Sequence, residues 1–225
     1  VARALRNAGM RVALCGRRVE RLEALAEEDP ERSLAVGVDL RKEEEILNLF
    51  DQIRSRWGGV NVLVNNAGLG HTAPLTSGET KYWREMLDVN VLALCICTRE
   101  AIADMRASGD DGYVIHISSM SGHRVPPGSG VYSATKFALR SLTEGLRTEL
   151  RDLNSNIRVS SISPGFVETE FAAHYHQSEE IAQQIYTRFK VLQPSDISEA
   201  VLYLLGNPQH LQVHDILMRP TEQKS

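Results

Sequence analysis

The sequence is poor in the residues that mark several large classes of protein. Three cysteines among 225 residues are too few for a framework of several disulfides, and Cys95 and Cys97 lie two apart in an apolar stretch with no paired histidine. His174 and His176 lack a third ligand, so no metal site is predicted. These absences favour a reducing compartment, and we expect the chain in the cytoplasm.

Positive charge and long apolar runs are also scarce. The chain has 25 Lys plus Arg against 29 Asp plus Glu, a formal net charge of -4, and no basic block with interleaved aromatic residues. Such a block is typical of proteins that bind phosphate backbones, so we predict no nucleic-acid partner. The longest uncharged run, residues 89–98, is about half the length of a bilayer-spanning helix, and no membrane span is expected.

What the sequence does contain is an alternation of short apolar segments with amphipathic ones. Strands are predicted at residues 11–15, 33–38, 60–65, 112–117, 157–163 and 213–217. Helical segments are predicted at residues 18–28, 42–57, 80–107, 132–153, 168–192 and 195–205. Nearly continuous apolar strands between amphipathic helices indicate a parallel sheet covered on both faces. We therefore predict one doubly wound α/β domain over residues 1–225.

One glycine-rich stretch matches a dinucleotide-binding pattern in its spacing only. Residues 68–73 read Gly-Leu-Gly-His-Thr-Ala and follow a predicted strand. The phosphate-binding helix that should come next is replaced by Pro74 and a turn-rich segment. Residues 68–73 are therefore predicted to be a loop.

A sharper combination of chemical groups lies in the second half of the chain. Tyr132 and Lys136 are spaced four residues apart at the start of a predicted helix, so both side chains point to one side. A nearby cation favours phenolate, which makes Tyr132 a candidate general acid or base. Ser119 follows a predicted strand, where its hydroxyl can meet a substrate oxygen.

Each of these features also has an ordinary structural explanation. A Tyr-x-x-x-Lys pair occurs by chance on exposed helix faces, and serines after strands commonly form turns. Their joint occurrence at strand ends of an α/β fold favours catalysis.

In these and further motifs the chain resembles the short-chain dehydrogenase/reductase family over essentially its whole length. The matching motifs, in that family's order and spacing, are Asp39-Leu40, Asn65-Asn66-Ala67-Gly68, Asn90-Val91, Ser119, Tyr132-x-x-x-Lys136 and Ser163-Pro164-Gly165-x-Val167-x-Thr169. The resemblance implies a Rossmann-type fold. It also implies a nicotinamide-dependent oxidoreductase that interconverts a carbonyl and an alcohol by hydride transfer.

The resemblance assigns a catalytic role to four residues. Ser119 would hold the substrate oxygen, Tyr132 would transfer the proton, and Lys136 would lower the Tyr132 pKa and bind the nicotinamide ribose. Asn90 would hold a water molecule of a proton relay. The alternative for Asn90 is an asparagine inside a helix that bonds to the backbone.

The resemblance also implies where cofactor and substrate lie. Expected cofactor-binding residues are Asp39, Leu40, Asn65, Ala67, Gly68, Tyr132, Lys136, Pro164, Gly165, Val167 and Thr169. Residues 166–194 would cover the substrate, and the residues expected to contact it are Ser121, Val125, Phe166, Phe171 and Tyr175. Because the aromatic side chains dominate this segment, an apolar, steroid-like or isoprenoid substrate is predicted. Homodimers or homotetramers through the two long helices are usual in the family.

The choice of cofactor depends on the turn after the first predicted strand. In a dinucleotide-binding fold, an acidic residue at the equivalent position favours the 2'-hydroxyl of NAD. Here the turn reads Cys15-Gly16-Arg17-Arg18, without a carboxylate. Arg17 or Arg18 could pair with a 2'-phosphate, which favours NADP(H). The alternative is an exposed basic turn that begins a helix.

The chain departs from the family at its beginning. It opens at Val1, inside a helical pattern that Gly9 ends, and it lacks the family's first strand and Thr-Gly-x-x-x-Gly-x-Gly motif. That strand is expected in the middle of the sheet, so we expect the parent protein to be longer. The alternative function is a non-catalytic, inactive homologue that acts as a structural or interaction protein.

Overall fold

The predicted alternation is confirmed by the computed structural model, which describes residues 1–224. The strands are β1 Val12–Gly16, β2 Ser33–Gly37, β3 Val62–Asn65, β4 Tyr113–Ile117, β5 Arg158–Pro164 and β6 Asp215–Met218. The helices are α1 Ala2–Asn7, α2 Val19–Glu27, α3 Glu43–Trp57, α4 Thr80–Leu87, α5 Ala93–Ala107, α6 Gly130–Asp152, α7 Phe171–His176, α8 Glu179–Tyr186 and α9 Pro194–Gly206.

All strand pairings in the described chain are parallel. One sheet has the order β3-β4-β5-β6, and β1 pairs with β2 in another. The register places Val64 beside Ile115, and His116 beside Ser161. The carboxyl ends of β3, β4 and β5 therefore lie along one edge, which is where a parallel sheet places its ligands.

Helices cover both faces of the two sheets. On one face, side chains of α3, α5 and α6 pack on Val36 of β2 and Val114 of β4. On the other face, α1 and α9 pack with Val12 of β1 and Val62 of β3. Each apolar core thus includes strands from both sheets, which confirms the doubly wound α/β fold. Within residues 1–224, no helix is both long and apolar enough to span a bilayer.

The two sheets are separated between β1 and β3. Among residues 1–224, β1 pairs only with β2 and β3 only with β4, so the facing edges of β1 and β3 share no ladder. This is the position where the resemblance places a further strand. That additional strand stays a prediction.

Two long helical segments are interrupted in ways that the hydrophobic pattern did not indicate. Between α4 and α5 the chain forms a π-helical turn, Asp88–Leu92, which contains Asn90. The segment 168–192 is divided into α7 and α8 at Gln177, whose backbone is left-handed with a φ of 51°. Ser178 then caps the start of α8, where its side chain accepts a hydrogen bond from Ile181 N. Both interruptions lie beside the candidate active site.

Candidate active site

The predicted catalytic tyrosine and lysine share one buried environment. Tyr132 and Lys136 lie in the first two turns of α6, with 8% and 4% of their surface exposed. The Lys136 Nζ atom is 5.9 Å from the centre of the Tyr132 ring. The prediction that both side chains point to one side of the helix is thus confirmed.

Ser119 lies at the same place, just beyond the carboxyl end of β4. It precedes a short 3-10 turn, Met120–Gly122, and its Oγ accepts a hydrogen bond from Ser121 N at 3.1 Å. The Ser119 side chain also lies near enough to the Tyr132 hydroxyl to lower the pKa of the phenol. The two hydroxyl groups are therefore close enough to bind a single substrate oxygen.

Lys136 brings a positive charge into this buried region. Its Nζ donates a hydrogen bond to Ile117 O at 3.1 Å, and burial lowers the pKa of Lys136 to about 8. The neighbouring His116 is also buried, and its pKa is lowered to about 4 by burial and by the Lys136 charge. His116 is therefore neutral at pH 7, and Lys136 provides the positive charge next to Tyr132.

The expected lowering of the Tyr132 pKa is not what this structure shows. Burial raises the pKa of the Tyr132 phenol, and Tyr175 raises it further, while the hydrogen bond with Ser119 lowers it only in part. The physical reason is that Phe171 and Tyr175 exclude water from the phenol, which penalises phenolate more than the nearby ammonium favours it.

Asn90 connects the catalytic helix to the loop after β3. Its Oδ1 accepts a hydrogen bond from Leu69 N at 2.9 Å, and its Nδ2 donates to Leu69 O at 2.8 Å and to Thr135 Oγ1 at 3.0 Å. Asn90 does bond to backbone, but across to another segment and not within its own helix. It thereby fixes the position of Gly68, where a Cβ atom would lie 3.4 Å from Lys136 Nζ.

Helix α7 covers Tyr132 with aromatic side chains. The ring centres of Phe171 and Tyr175 lie 5.5 and 5.7 Å from that of Tyr132. The carbonyl of Tyr175 accepts hydrogen bonds from N and Oγ1 of Thr72 at 3.2 and 3.1 Å. A Cβ atom at Gly70 would come within 2.5 Å of the Tyr175 ring, so only glycine permits this approach.

The structure gathers only part of the predicted substrate set at Tyr132. Phe171 and Tyr175 contact its ring, and Ser121 lies beside Ser119. Phe166 instead faces Phe189, with ring centres 6.4 Å apart, and Val125 is 62% exposed. Apolar neighbours of Tyr132 that the sequence did not indicate complete the cluster: Leu69, Ala73, Tyr82, Trp83, Met86 and Val131. Leu69 and Ala73 belong to the loop 68–73, whose irregular spacing carries no periodic signal.

Several predicted cofactor residues line one recess on the other side of β3. Leu40, Asn65 and Ala67 form its wall together with side chains from the π-helical turn and α5, which are Val89, Ala93, Leu94 and Cys97. Most of the side chains in this wall are apolar. Asp39, next to Leu40, is paired with Arg41, which lowers the Asp39 pKa to about 2.

The two arginines of the turn after β1 point to different partners. Arg17 Nη1 is 3.9 Å from Glu85 Oε1. Arg18 and Arg21 pair with the carboxylate of Glu170, immediately before α7. Both arginines that were predicted to bind a 2'-phosphate are therefore paired with carboxylates in this structure.

The predicted nicotinamide-side residues follow β5. Pro164 ends this strand, and the Gly165 backbone passes so close to Gln223 that a Cβ would lie 2.2 Å from its Oε1. Gln223 Oε1 accepts a hydrogen bond from Phe166 N at 3.0 Å. Val167 bridges to Leu192, and Thr169 Oγ1 accepts from Phe171 N at 3.2 Å. The Gln223 contact joins the start of the 166–194 segment to the chain after β6, whereas the other two contacts lie within the segment.

Comparisons with known proteins agree with this geometry. The family described as short chain dehydrogenase matches residues 1–180. The chain is 50% identical to human dehydrogenase/reductase SDR family member 11 over 99% of this chain and 89% of that protein. It is 43% identical to the farnesol dehydrogenase of Aedes aegypti, over 98% of this chain and 89% of that protein.

Solved structures show the same fold. The closed form of serine dehydrogenase complexed with NADP+ superposes with a TM-score of 0.93 at 31% identity, over 99% of this chain and 91% of that one. A metagenomic short-chain oxidoreductase in complex with NADP gives a TM-score of 0.80 at 27% identity, over 99% of this chain and 90% of that one. The chain belongs to the short-chain dehydrogenase/reductase family and is an oxidoreductase.

Proposed function

We propose that this enzyme interconverts a carbonyl and an alcohol on an apolar, steroid-like or isoprenoid substrate. The observation that carries the proposal is the aromatic cover of Tyr132. Phe171 and Tyr175 surround the phenol, and Leu69, Trp83 and Met86 pack into the same cluster. A substrate carbon next to Tyr132 would therefore meet apolar surface, which favours an apolar chain or ring over a charged one.

Four residues of this chain would perform the proton chemistry. The Ser119 hydroxyl would donate a hydrogen bond to the substrate oxygen, and Tyr132 would give a proton to that oxygen in reduction or take it in oxidation. When bound, NADP(H) supplies or accepts the hydride at the substrate carbon.

Lys136 and Asn90 would support this proton transfer. The Lys136 ammonium would stabilise the negative charge that remains on Tyr132 when its proton leaves. Asn90 would hold a water molecule of the proton relay, and its bonds to Leu69 keep the loop beside Lys136 in place. The raised pKa of Tyr132 makes its protonated form the resting one, so the lysine acts when the proton moves.

Two of the similar proteins are named for different substrates, farnesol and serine, and this difference gives a direct test of the proposal. Farnesol is an apolar isoprenoid alcohol, whereas serine is small and zwitterionic. With NADP+ as oxidant, we expect kcat/KM for farnesol or a hydroxysteroid to exceed that for L-serine by at least about 100-fold, since removal of a charged group from water costs several kcal/mol. NADPH formation at 340 nm measures both reactions.

A preference for serine would overturn the apolar-substrate proposal. A chain that binds NADPH but turns over neither class of alcohol would favour the non-catalytic alternative. The Phe171→Ala variant tests the apolar-substrate proposal directly, because it opens the aromatic cover of Tyr132. It should raise KM for farnesol more than for small alcohols.

We also propose that the protein is cytoplasmic and forms a homodimer or homotetramer through its long helices. Large apolar side chains are exposed there, Leu92 at 55%, Phe137 at 39% and Leu153 at 52%. Burial of such residues between subunits would remove apolar area from water. Light scattering should give two or four times the chain mass of 25.0 kDa. A concentration-independent mass of one chain would contradict this prediction.

A further inference from the structure

We propose that the end of the sheet opposite the candidate active site carries a separate binding site, which takes the phosphate group of a small ligand. The site is a cavity of about 300 Å³. Its lining comes from the end of α6, the start of β5 and the loop between α9 and β6, and consists of Arg151, Asn156, Arg158, Gln209, His210 and Gln212. This inference does not depend on the proposed substrate class.

The first observation is the position of the cavity, which is one strand length away from the candidate active site. Arg158 is the first residue of β5 and Pro164 is the last. The 7 residues of this strand place its two ends about 20 Å apart. The predicted catalytic and nicotinamide-side residues lie beyond the carboxyl ends of the strands, so the cavity belongs to a different site.

The second observation is the size and polarity of the cavity. Its volume equals that of roughly ten water molecules in the liquid, which accommodates a phosphate group and part of the molecule that carries it. All the described side chains that line it are polar or positively charged, and none of them is a carboxylate. Asp110 lies outside the lining, where it accepts hydrogen bonds from Ser155 Oγ at 2.7 Å and Asn156 N at 3.3 Å. The lining therefore favours an anion over an apolar ligand.

The third observation is that the two arginine charges of the lining are not neutralised. Among residues 1–224, neither Arg151 nor Arg158 forms an ion pair, whereas Arg147, one turn earlier in α6, pairs with Glu144. Two positive charges from separate elements thus face one cavity without a carboxylate partner in the described chain. A phosphate dianion would supply the missing negative charge.

The fourth observation is that backbone carbonyls already hold both guanidinium groups in place. Arg151 Nη2 donates a hydrogen bond to Ile157 O at 2.7 Å, and Arg158 Nη1 donates to Asn207 O at 3.0 Å. A carbonyl is neutral, so it fixes the guanidinium group without cancelling its charge. Because each bond uses one nitrogen of the planar group, the other N–H groups remain for a ligand.

Further hydrogen-bond donors of the cavity have no partner. Arg158 Nε is buried and forms no hydrogen bond within the described chain, while its guanidinium group packs 4.4 Å from the centre of the Tyr113 ring. Gln212 Oε1 accepts a hydrogen bond from Val159 N at 3.4 Å, which leaves the Gln212 NH₂ group as a donor. Several donors around one position suit the oxygens of a phosphate group, each of which accepts charge-assisted hydrogen bonds.

Titration of the full chain with inorganic phosphate in a calorimeter tests the proposal, with the ionic strength held constant by sodium chloride. We expect saturable binding at millimolar phosphate. Arg151→Gln should weaken this binding at least about 10-fold, because it removes charge-assisted hydrogen bonds from an exposed position where the fold tolerates the change. Arg147→Gln is the matched control, since it removes the same charge from the same helix outside the cavity. It should change the Kd of phosphate less than about 2-fold.

Two further measurements define the site. Arg158→Lys keeps the positive charge but loses the planar fork, so phosphate binding should weaken about 3- to 10-fold. Excess NADPH should leave the Kd of phosphate unchanged, because the nucleotide is expected at the other end of the sheet. Glycerol 3-phosphate identifies the source of the phosphate group: tighter binding than inorganic phosphate supports an organic phosphate, and weaker binding supports the free ion.

Three outcomes would overturn the proposal. An absence of saturable binding at millimolar phosphate would show that the cavity does not hold this group. Equal weakening by Arg147→Gln and Arg151→Gln would show that phosphate responds only to the net charge of the chain. Competition between phosphate and NADPH would place the phosphate in the nucleotide site. A failure to oxidise farnesol would change none of these results, since none of them depends on catalysis.

Discussion

Replacement of Tyr132 by phenylalanine is expected to lower kcat by about 10²- to 10⁴-fold, the contribution typical of a positioned general acid or base. The substitution removes one oxygen atom and keeps the ring that packs against Phe171 and Tyr175. The fold and the affinity for NADPH should therefore persist. Steady-state rates with the alcohol that the substrate test identifies, together with the Kd of NADPH, measure the two effects separately.

Tyr113→Phe is the matched control for this experiment. Tyr113 is also a buried tyrosine, but its hydroxyl bonds to Ser160 Oγ at 2.8 Å in the interior of β4 and β5. Its loss should cost about 1 kcal/mol of unfolding free energy with little change in kcat. If Tyr132→Phe kept more than about a tenth of the wild-type kcat, Tyr132 would not be the proton-transfer residue.

Lys136→Met is expected to stabilise the nucleotide-free protein at pH 7 while it abolishes efficient turnover. The usual lysine pKa of 10.5 is lowered to about 8 in the fold because the ammonium is buried. Below pH 8 both folded and unfolded chains carry this proton, and the folded state bears the full cost of burying the charge, about 3 kcal/mol. Methionine removes that cost but leaves Ile117 O without its partner, at about 1 kcal/mol.

The sign of the pH dependence follows from the same pKa values. Between about pH 8 and 10.5, Lys136 is protonated more often in the unfolded chain than in the folded chain. The unfolding free energy of the wild type therefore increases with pH in this range, relative to that of Lys136→Met. The stability advantage of the variant should therefore shrink across this window. Urea unfolding of both proteins at pH 7 and pH 9.5 measures this advantage as a difference in unfolding free energy. The contributions of the other titrating groups are common to both proteins and cancel in that difference.

Lys190→Met serves as the control because Lys190 is exposed. It should change stability by no more than about 0.5 kcal/mol at either pH. A pH dependence of Lys136→Met that parallels the wild type would contradict a buried, charged Lys136. A variant that loses turnover and gains unfolding free energy would show that the Lys136 ammonium serves activity and lowers the stability of the folded state.

Local sequence was sufficient to locate the secondary structure. Apart from the two long segments, strand and helix ends agree with prediction to within two residues. Apolar periodicity and turn residues such as Gly9, with its φ of 87°, act over a few neighbours. The sequence spacing of Tyr132 and Lys136 likewise determined that they share one side of α6.

Other features depended on segments that are far apart in the chain. Burial raises the Tyr132 pKa, and Tyr175 raises it further. Local sequence could not place Phe171 and Tyr175 over the phenol. The π-helical turn puts Asn90 against Leu69, and nothing in the helical pattern of residues 80–107 indicates it. Local sequence likewise could not show that Phe166 faces Phe189 or that Val125 is 62% exposed.

By itself, the sequence determined the fold class and the family, because these are carried by short-range patterns and by motifs in a set order; the catalytic set that it indicates stays a prediction. Only the tertiary structure decided which arginine faces which carboxylate, with Arg17 and Arg41 meeting at Glu85 and Arg18 at Glu170. The physical reason is that charge pairing and burial depend on distances in space, which adjacent residues do not specify. Arg17 and Arg18, although adjacent in the sequence, therefore have different partners.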